Sequence, residues 1–158
     1  MGTGPVTYLS SKKKAYCSLL MSPYTSIKDV SKSLLGRFSF FLTPMVYDRF
    51  RNIDMIKEAK CPIFFLHGLK DKLIPYSHSQ ELNNNCPTES FMHLPPDMDH
   101  NEFDFIDDLV NPFKAFVRRI EDGRKNSKKF LVSHNEESKL GEERVEEEEK
   151  AKRAGLLI

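Results

Sequence analysis

Two residues in the middle of the chain have side chains that could act together as an acid–base pair. Asp71 comes four residues after His67, just past the apolar run IFFL, and His100 follows a second run, SFMHL. In acyl transfer a histidine acts as the general base, and a carboxylate holds its tautomer and stabilises the imidazolium. Either residue alone is more often a turn aspartate or a solvated histidine, but together they indicate acyl-transfer chemistry.

The elements around this pair follow the order of a parallel sheet. AYCSLLM, CPIFFLHG and SFMHLP are short apolar runs that predict strands, the first of them buried on both faces. Helical patterns cover residues 3–14, parts of 29–58, residues 77–84 and the stretch FDFIDDLVNPFKAFVRRIE. Alternating strands and helices predict a parallel sheet covered by helices, whose functional residues collect beyond the carboxyl ends of the strands. Asp71 and His100 both lie in such loops.

Composition limits the classes of protein that remain. The 158 residues leave room for one domain, and a net charge of +1 with short basic clusters gives no support for nucleic-acid binding. Cys17, Cys61 and Cys86 are odd in number and form no CxxC pair, which favours reduced thiols over a disulfide framework or a zinc site. No apolar run approaches the roughly 18 residues of a membrane span, and no signal-peptide pattern is present. We expect a cytoplasmic location.

The last part of the chain is highly charged and has little to bury. Residues 121–158 contain 10 acidic and 9 basic residues, with no aromatic residue after Phe130. Such a segment cannot offset the entropy lost on ordering, so it is predicted to be a disordered tail or a solvated helix. The predicted organisation is a folded domain over residues 1–120 and a charged tail over residues 121–158.

Three segments together resemble a known family. CPIFFLHGLKDKLIPYSHSQEL resembles the strand and acid loop of α/β-hydrolases, especially the serine-aminopeptidase-like branch that contains the protein depalmitoylases. MDHNEFDFI is similar to the histidine loop of that branch. The first residues, MGTGPVTYLSSK, match the residues after the serine in the Gly-x-Ser-x-Gly turn that carries the family's nucleophile. The resemblance extends from Met1 to about Ile120, and the order of acid and then histidine is that of the family.

The resemblance implies the C-terminal half of an α/β-hydrolase fold, with parallel strands and flanking helices. Asp71 would be the acid of a catalytic triad and His100 its base. Gly2 would be the last glycine of the nucleophile turn, where a side chain would block close packing of strand and helix. The backbone N–H of Met1 would help to form the oxyanion hole. The nucleophilic serine is absent from the sequence, because the turn is not matched at Ser10, Ser11, Ser22 or Ser26.

The implied function is serine hydrolysis of an ester, thioester or amide, with no cofactor and no metal. A fatty-acyl thioester on a protein is the leading substrate, so the partner would be an acylated protein or a small ester. Membrane attachment would require an N-terminal segment that this sequence lacks, and would make the full-length form peripheral to the membrane. The chain itself is expected to be an inactive fragment. The alternative is a non-catalytic interaction protein derived from a hydrolase domain.

Other residues compete for a role in the site. His93 is expected to pack on a strand face, His67 to be structural, and His78 to lie early in a helix, while His134 falls in the tail. DMDHN begins like a calcium loop but lacks the glycine and the glutamate that such a loop needs at its sixth and twelfth positions. The aromatic stretch RFSFFLTPMVYDRF suits an acyl-chain pocket, a cap over the site or simply core.

Overall fold

The computed structural model of the chain describes residues 2–35 and 48–127. The chain divides into two units, Met1–Val117 and Arg118–Ile158. Within the second unit, residues 118–127 are described and are helical. The predictions for Met1, for most of the aromatic stretch and for the charged tail beyond residue 127 lie outside the described residues.

The first unit is built on a parallel sheet. Three strands pair in the order β1 (Ser18–Met21), β2 (Ile63–Leu66) and β3 (Ser90–His93). The helices are α1 (Thr3–Lys12), α2 (Ile27–Leu35), α3 (Asn52–Met55) with a 3-10 turn over Ile56–Glu58, and α4 (Ser77–Asn84). After a π-helical segment over Phe105–Val110, an α-helix begins at residue 111. The predicted parallel sheet with flanking helices is confirmed.

The central strand carries the core on both of its faces. All four residues of β2 are fully buried, because the strand is paired on both sides and covered above and below. On one face, Ile63 and Phe65 join a cluster with Leu20 and Leu82. On the other face, the ring of Phe64 stacks on Phe91 at 5.7 Å and meets further aromatic rings from the last helix. The alternation of side chains along a strand separates these two sets.

The first strand differs from its prediction. The sequence predicts burial on both faces, yet only Leu20 is buried, while Met21 remains 38% exposed. Within the described residues β1 pairs with β2 alone, so it lies at the edge of this sheet. Leu19 and Met21 point to the face opposite Leu20, where they line a cavity instead of a core.

The start of the last helix also differs. Apolar spacing predicts one α-helix over the stretch FDFIDDLVNPFKAFVRRIE, but its residues Phe105–Val110 form the π-helical segment. Phe105 and Ile106 are 62% and 53% exposed, so these two apolar residues do not join the core. The Asp104 side chain begins the segment by accepting hydrogen bonds from the N–H groups of Ile106 and Asp107. Across residues 2–35 and 48–127, no helix has the length and apolar character needed to cross a membrane.

Candidate active site

The site lies beyond the carboxyl ends of the three strands. Ser22 follows β1 directly, Asp71 lies in the loop after β2, and His100 lies in the loop after β3. Because the strands are parallel, these three loops emerge at the same edge of the sheet. Residues that are 29 positions apart in sequence, Asp71 and His100, come into direct contact there.

Asp71 and His100 form a close hydrogen-bonded pair. His100 Nδ1 lies 2.8 Å from Asp71 Oδ2, and the Asp71 side chain is fully buried. The other carboxylate oxygen, Oδ1, accepts hydrogen bonds from the backbone N–H groups of Leu73 at 2.9 Å and Ile74 at 2.8 Å. The turn after β2 therefore holds the carboxylate by one oxygen and presents the other to the imidazole.

The electrostatics of the pair favour an ionised carboxylate. Burial acts to raise the pKa of Asp71, but the hydrogen bonds from the Ile74 N–H, the His100 ring and the Leu73 N–H outweigh it, and the net pKa is lowered. An ionised carboxylate only accepts hydrogen bonds, so His100 donates through Nδ1–H. In the neutral imidazole, Nε2 then carries the lone pair, which is the form that a general base requires.

A second histidine, His67, contacts the acid loop from the protein interior. His67 is fully buried, and its Nε2 lies 2.8 Å from the Ile74 carbonyl oxygen and 3.4 Å from Asp71 Oδ2. Its Nδ1 lies 2.5 Å from the Ser79 hydroxyl. Because a carbonyl can only accept, Nε2 carries the proton and Nδ1 accepts from Ser79. Burial lowers the pKa of His67, which keeps it neutral. These contacts agree with the structural role expected for it.

Gly68 brings the acid loop and the histidine loop against each other. The N–H of Leu69 donates to the Pro95 carbonyl at 3.1 Å, and that of Lys70 donates to the Met98 carbonyl at 3.0 Å. A Cβ at Gly68 would overlap the Met98 carbonyl oxygen and lie 2.6 Å from the carbonyl carbon. Only glycine permits this approach of the two backbones.

A cavity of about 570 Å³ opens beside His100. Its polar lining comes from Gly2 and Thr3 at the start of α1, from Ser22, and from His100. The remaining lining residues are mainly apolar, and they are Val6, Leu19, Met21, Tyr24, Ile27, Val30, Leu73 and Ile74. The cavity therefore suits a ligand with an apolar body and a polar group near the imidazole.

Gly2 lines this cavity. The steric requirement for glycine that the resemblance implies is a separate question. A Cβ at Gly2 would meet no atom within 4 Å, and its φ of −63° is open to any residue. The expected steric block between strand and helix is therefore not found in the described residues. The close approach at α1 occurs at Gly4, where a Cβ would lie 2.8 Å from the Phe50 ring.

The competing residues have other contacts. His78 is buried in α4, where its Nδ1 lies 2.8 Å from the Thr25 hydroxyl, and burial lowers its pKa. His93 ends β3 half-buried. Asp99 Oδ1 accepts from the N–H groups of Asn101 and Glu102, both at 2.7 Å, so it closes a turn. Among residues 2–35 and 48–127, no group of three or more side chains is placed to hold a metal ion.

The sequence does not predict which residues line the cavity. Ile27 and Val30 of α2 line the cavity, although their spacing indicates only an ordinary amphipathic helix. Ser22 does not match the nucleophile turn, and its left-handed backbone, with φ of 44°, has no sequence signal. The Ser-Pro pair after β1 predicts the end of a strand and no more.

Curated proteins similar to this chain include alpha/beta hydrolase domain-containing proteins. No family model matches the chain. Over 117 residues, which is 74% of this chain, it is 26% identical to the alpha/beta hydrolase domain-containing protein aho-3 of Caenorhabditis elegans. Over the same length it is 26% identical to the alpha/beta hydrolase domain-containing protein 17B of Homo sapiens. The chain spans 33% and 38% of these two relatives, respectively.

Solved structures agree on the fold. Acetyl xylan esterase 1 from Thermoanaerobacterium matches 73% of this chain with a TM-score of 0.55 and 16% identity, over 43% of its own length. The acylaminoacyl peptidase of Pyrococcus horikoshii matches 76% of this chain with a TM-score of 0.52 and 12% identity, over 22% of its own length. The described residues therefore form part of an α/β-hydrolase fold. The chain is similar to proteins of that superfamily over about three quarters of its length.

Proposed function

We propose that this chain carries the acid and the base of a serine hydrolase that acts on acyl esters or thioesters. The supporting observation is the Asp71–His100 pair, hydrogen-bonded at 2.8 Å at the rim of a largely apolar cavity. The proposed substrate is a fatty-acyl thioester on a protein, as the resemblance to the depalmitoylase branch suggests. The aligned segment covers only 33% and 38% of the two relatives, so the proposal concerns the whole protein.

In this proposal His100 transfers the protons of the reaction, and Asp71 keeps the imidazole in place. His100 Nε2 removes the proton from a serine hydroxyl, whose oxygen forms a bond to the acyl carbonyl carbon while the carbonyl electron pair moves to oxygen. The tetrahedral intermediate then collapses, the bond to the leaving oxygen or sulfur breaks, and His100 returns the proton to the leaving group. Water repeats the sequence on the acyl-enzyme. Asp71 remains ionised and stabilises the imidazolium.

The start of α1 is suited to the developing negative charge. The first N–H groups of a helix have no partner within it, and the positive end of the helix dipole favours an anion. Gly2 and Thr3 line the same cavity as His100. The serine in this proposal precedes Met1 in a protein of the relatives' length, in keeping with the match of MGTGP to the nucleophile turn.

Labelling and turnover of the full-length protein test this function. A fluorophosphonate probe should label one serine, and an octanoyl thioester should be hydrolysed, with both signals lost in His100→Ala. The control is His93→Ala, at the end of β3, which should keep both signals. Labelling that survives in His100→Ala would contradict the assignment of the base. An unlabelled and inactive full-length protein would contradict hydrolysis and favour a non-catalytic interaction protein.

A further inference from the structure

Ser22 combines two energetically unfavourable features at the edge of the cavity. Its φ of 44° lies in the left-handed region, which costs free energy for any residue with a Cβ. Pro23 follows, and a residue before proline is pushed toward extended backbone, so the left-handed conformation is disfavoured for a second reason. The backbone is held in place by the Ser22 N–H, which donates to the Leu66 carbonyl at 2.8 Å.

The second feature is the hydroxyl group. Ser22 is 7% exposed, and its Oγ is buried without a hydrogen-bond partner in the described structure. A buried hydroxyl without a partner costs the free energy of its lost hydration, and the great majority of buried polar atoms in proteins avoid this. Other buried serines of this chain do avoid it, since Ser11 Oγ donates to the Tyr8 carbonyl and Ser79 Oγ bonds to His67.

Both features occur where a ligand would fit. Ser22 lines the cavity that His100 also lines, at the carboxyl end of β1. No hydrogen bond joins the Ser22 hydroxyl to any described residue, so it is not part of the acid–base pair. Backbone strain and unsatisfied polar atoms that coincide beside a cavity are typical of positions kept for binding rather than for stability.

We propose that the Ser22 hydroxyl is a ligand-binding group, which donates a hydrogen bond to an uncharged carbonyl oxygen of an acyl compound in the cavity. The inference deepens the proposed function and rests on it for the class of ligand. The acyl chain lies against the apolar wall formed by residues such as Leu19, Ile27 and Val30.

The test compares two probes of similar size on the chain itself. Methyl pentyl ketone carries a carbonyl acceptor and cannot be hydrolysed, whereas hexyl chloride lacks that acceptor. Dissociation constants are measured by NMR titration for the wild type, Ser22→Ala, Ser22→Gly and the control Ser11→Ala. We expect both Ser22 variants to weaken ketone binding by about two- to tenfold, the range for one hydrogen bond, with hexyl chloride binding unchanged. Ser11→Ala should bind both probes like the wild type.

Thermal unfolding of the same variants separates binding from folding. Ser22→Gly removes the left-handed strain and the buried hydroxyl, so its melting temperature should equal or exceed that of the wild type. Lower melting temperatures in both Ser22 variants would show that the hydroxyl stabilises the fold, and would overturn the proposal. The proposal would also be overturned if the Ser22 variants weakened the binding of both probes equally or left ketone binding unchanged. It would likewise be overturned if neither probe bound to the wild type.

The outcome is independent of hydrolysis. Ketone binding that depends on Ser22, together with a full-length protein that shows no serine labelling, would retain the binding site and remove the proposed reaction. If serine labelling is lost in His100→Ala but ketone binding is unchanged by the Ser22 substitutions, the proposed reaction is retained and this inference is wrong.

Discussion

At the scale of single residues, Asp71 uses its two oxygens for different purposes. Oδ1 accepts two backbone N–H groups and holds the turn, while Oδ2 faces the imidazole of His100. The structural and electrostatic tasks of this side chain can therefore be separated by substitution. An asparagine retains one carbonyl oxygen for the turn but loses the negative charge, whereas an alanine loses both.

Asp71→Asn should keep the fold and lose the proposed activity. By analogy with serine proteases, loss of the carboxylate lowers kcat by roughly 10⁴-fold, because the histidine then adopts the wrong tautomer. Asp71→Ala should in addition lower the free energy of unfolding by about 1–3 kcal/mol, since the N–H groups of Leu73 and Ile74 lose their acceptor. Urea denaturation gives the stability, and the ¹⁵N chemical shifts of the His100 ring report its tautomer.

The control for these variants is Asp97→Asn. Asp97 forms an exposed ion pair with Lys70 at 2.6 Å, and its side chain is 88% exposed. Removal of such a surface charge changes stability little. A His100 ring whose ¹⁵N shifts are the same in Asp71→Asn as in the wild type would contradict the tautomer argument.

At the scale of elements, the loops after β2 and β3 act as one unit. Two backbone hydrogen bonds join them, and Gly68 allows the contact between their main chains. The distance between Asp71 and His100 therefore depends on a residue that carries no side chain. This explains why a glycine stands at position 68, directly after His67.

Gly68→Ala should separate the two loops. Because the new Cβ would overlap backbone atoms of Met98, which cannot move like a flexible side-chain end, we expect a loss of about 1–3 kcal/mol in the free energy of unfolding. Chemical denaturation measures this loss, and the ¹H and ¹⁵N shifts of His100 measure the disturbance of the pair. Gly123→Ala is the control, since a Cβ there meets nothing within 4 Å. Equal stability of the two alanine variants would contradict the argument.

At the scale of the whole molecule, buried titratable groups link stability to pH. Burial lowers the pKa of His67 and of His78, so the fold favours their neutral forms. The pKa of Asp29 is also lowered, since its hydrogen bonds to Ser26 and Lys32 outweigh the opposing effect of burial. The two kinds of group act in different pH ranges, because histidine and carboxylate titrate at different ordinary values.

We expect the free energy of unfolding to fall as the pH falls below about 6.5, the ordinary value for histidine. In that range the unfolded chain binds protons at His67 and His78 that the folded chain does not, so acid favours unfolding. The free energy of unfolding should fall further when the pH drops below the ordinary pKa of a carboxyl group, because Asp71 and Asp29 are then protonated. Urea titrations at a series of pH values measure both ranges.

His78→Asn isolates one contribution to this pH dependence. The asparagine oxygen can replace Nδ1 as the acceptor for Thr25, but it does not titrate. The slope of stability against pH between about 5 and 6.5 should decrease, at most by the 1.4 kcal/mol per pH unit that one proton supplies. An unchanged slope would show that His78 does not stay neutral in the fold.

The sequence by itself indicated the three strands, their parallel arrangement and the loops in which Asp71 and His100 meet. Short apolar runs closed by turn residues predict strands because the signal is local, and the helix predicted at residues 77–84 has the bounds of α4. Asp71 and His100 followed because parallel strands bring the loops at their carboxyl ends together. Local patterns were weaker for β1 and for Phe105, whose burial depends on the segments that pack against them.

Only the tertiary structure decided the surroundings of the pair. The left-handed Ser22, the cavity walls from α2, and the contact of His78 with Thr25 across 53 residues of sequence all depend on distant segments. Gly68 is required by the Met98 carbonyl, a partner that no spacing in the sequence specifies. The sequence of one segment does not specify which distant atoms will contact it. Those contacts form only when the sheet brings its loops to one edge.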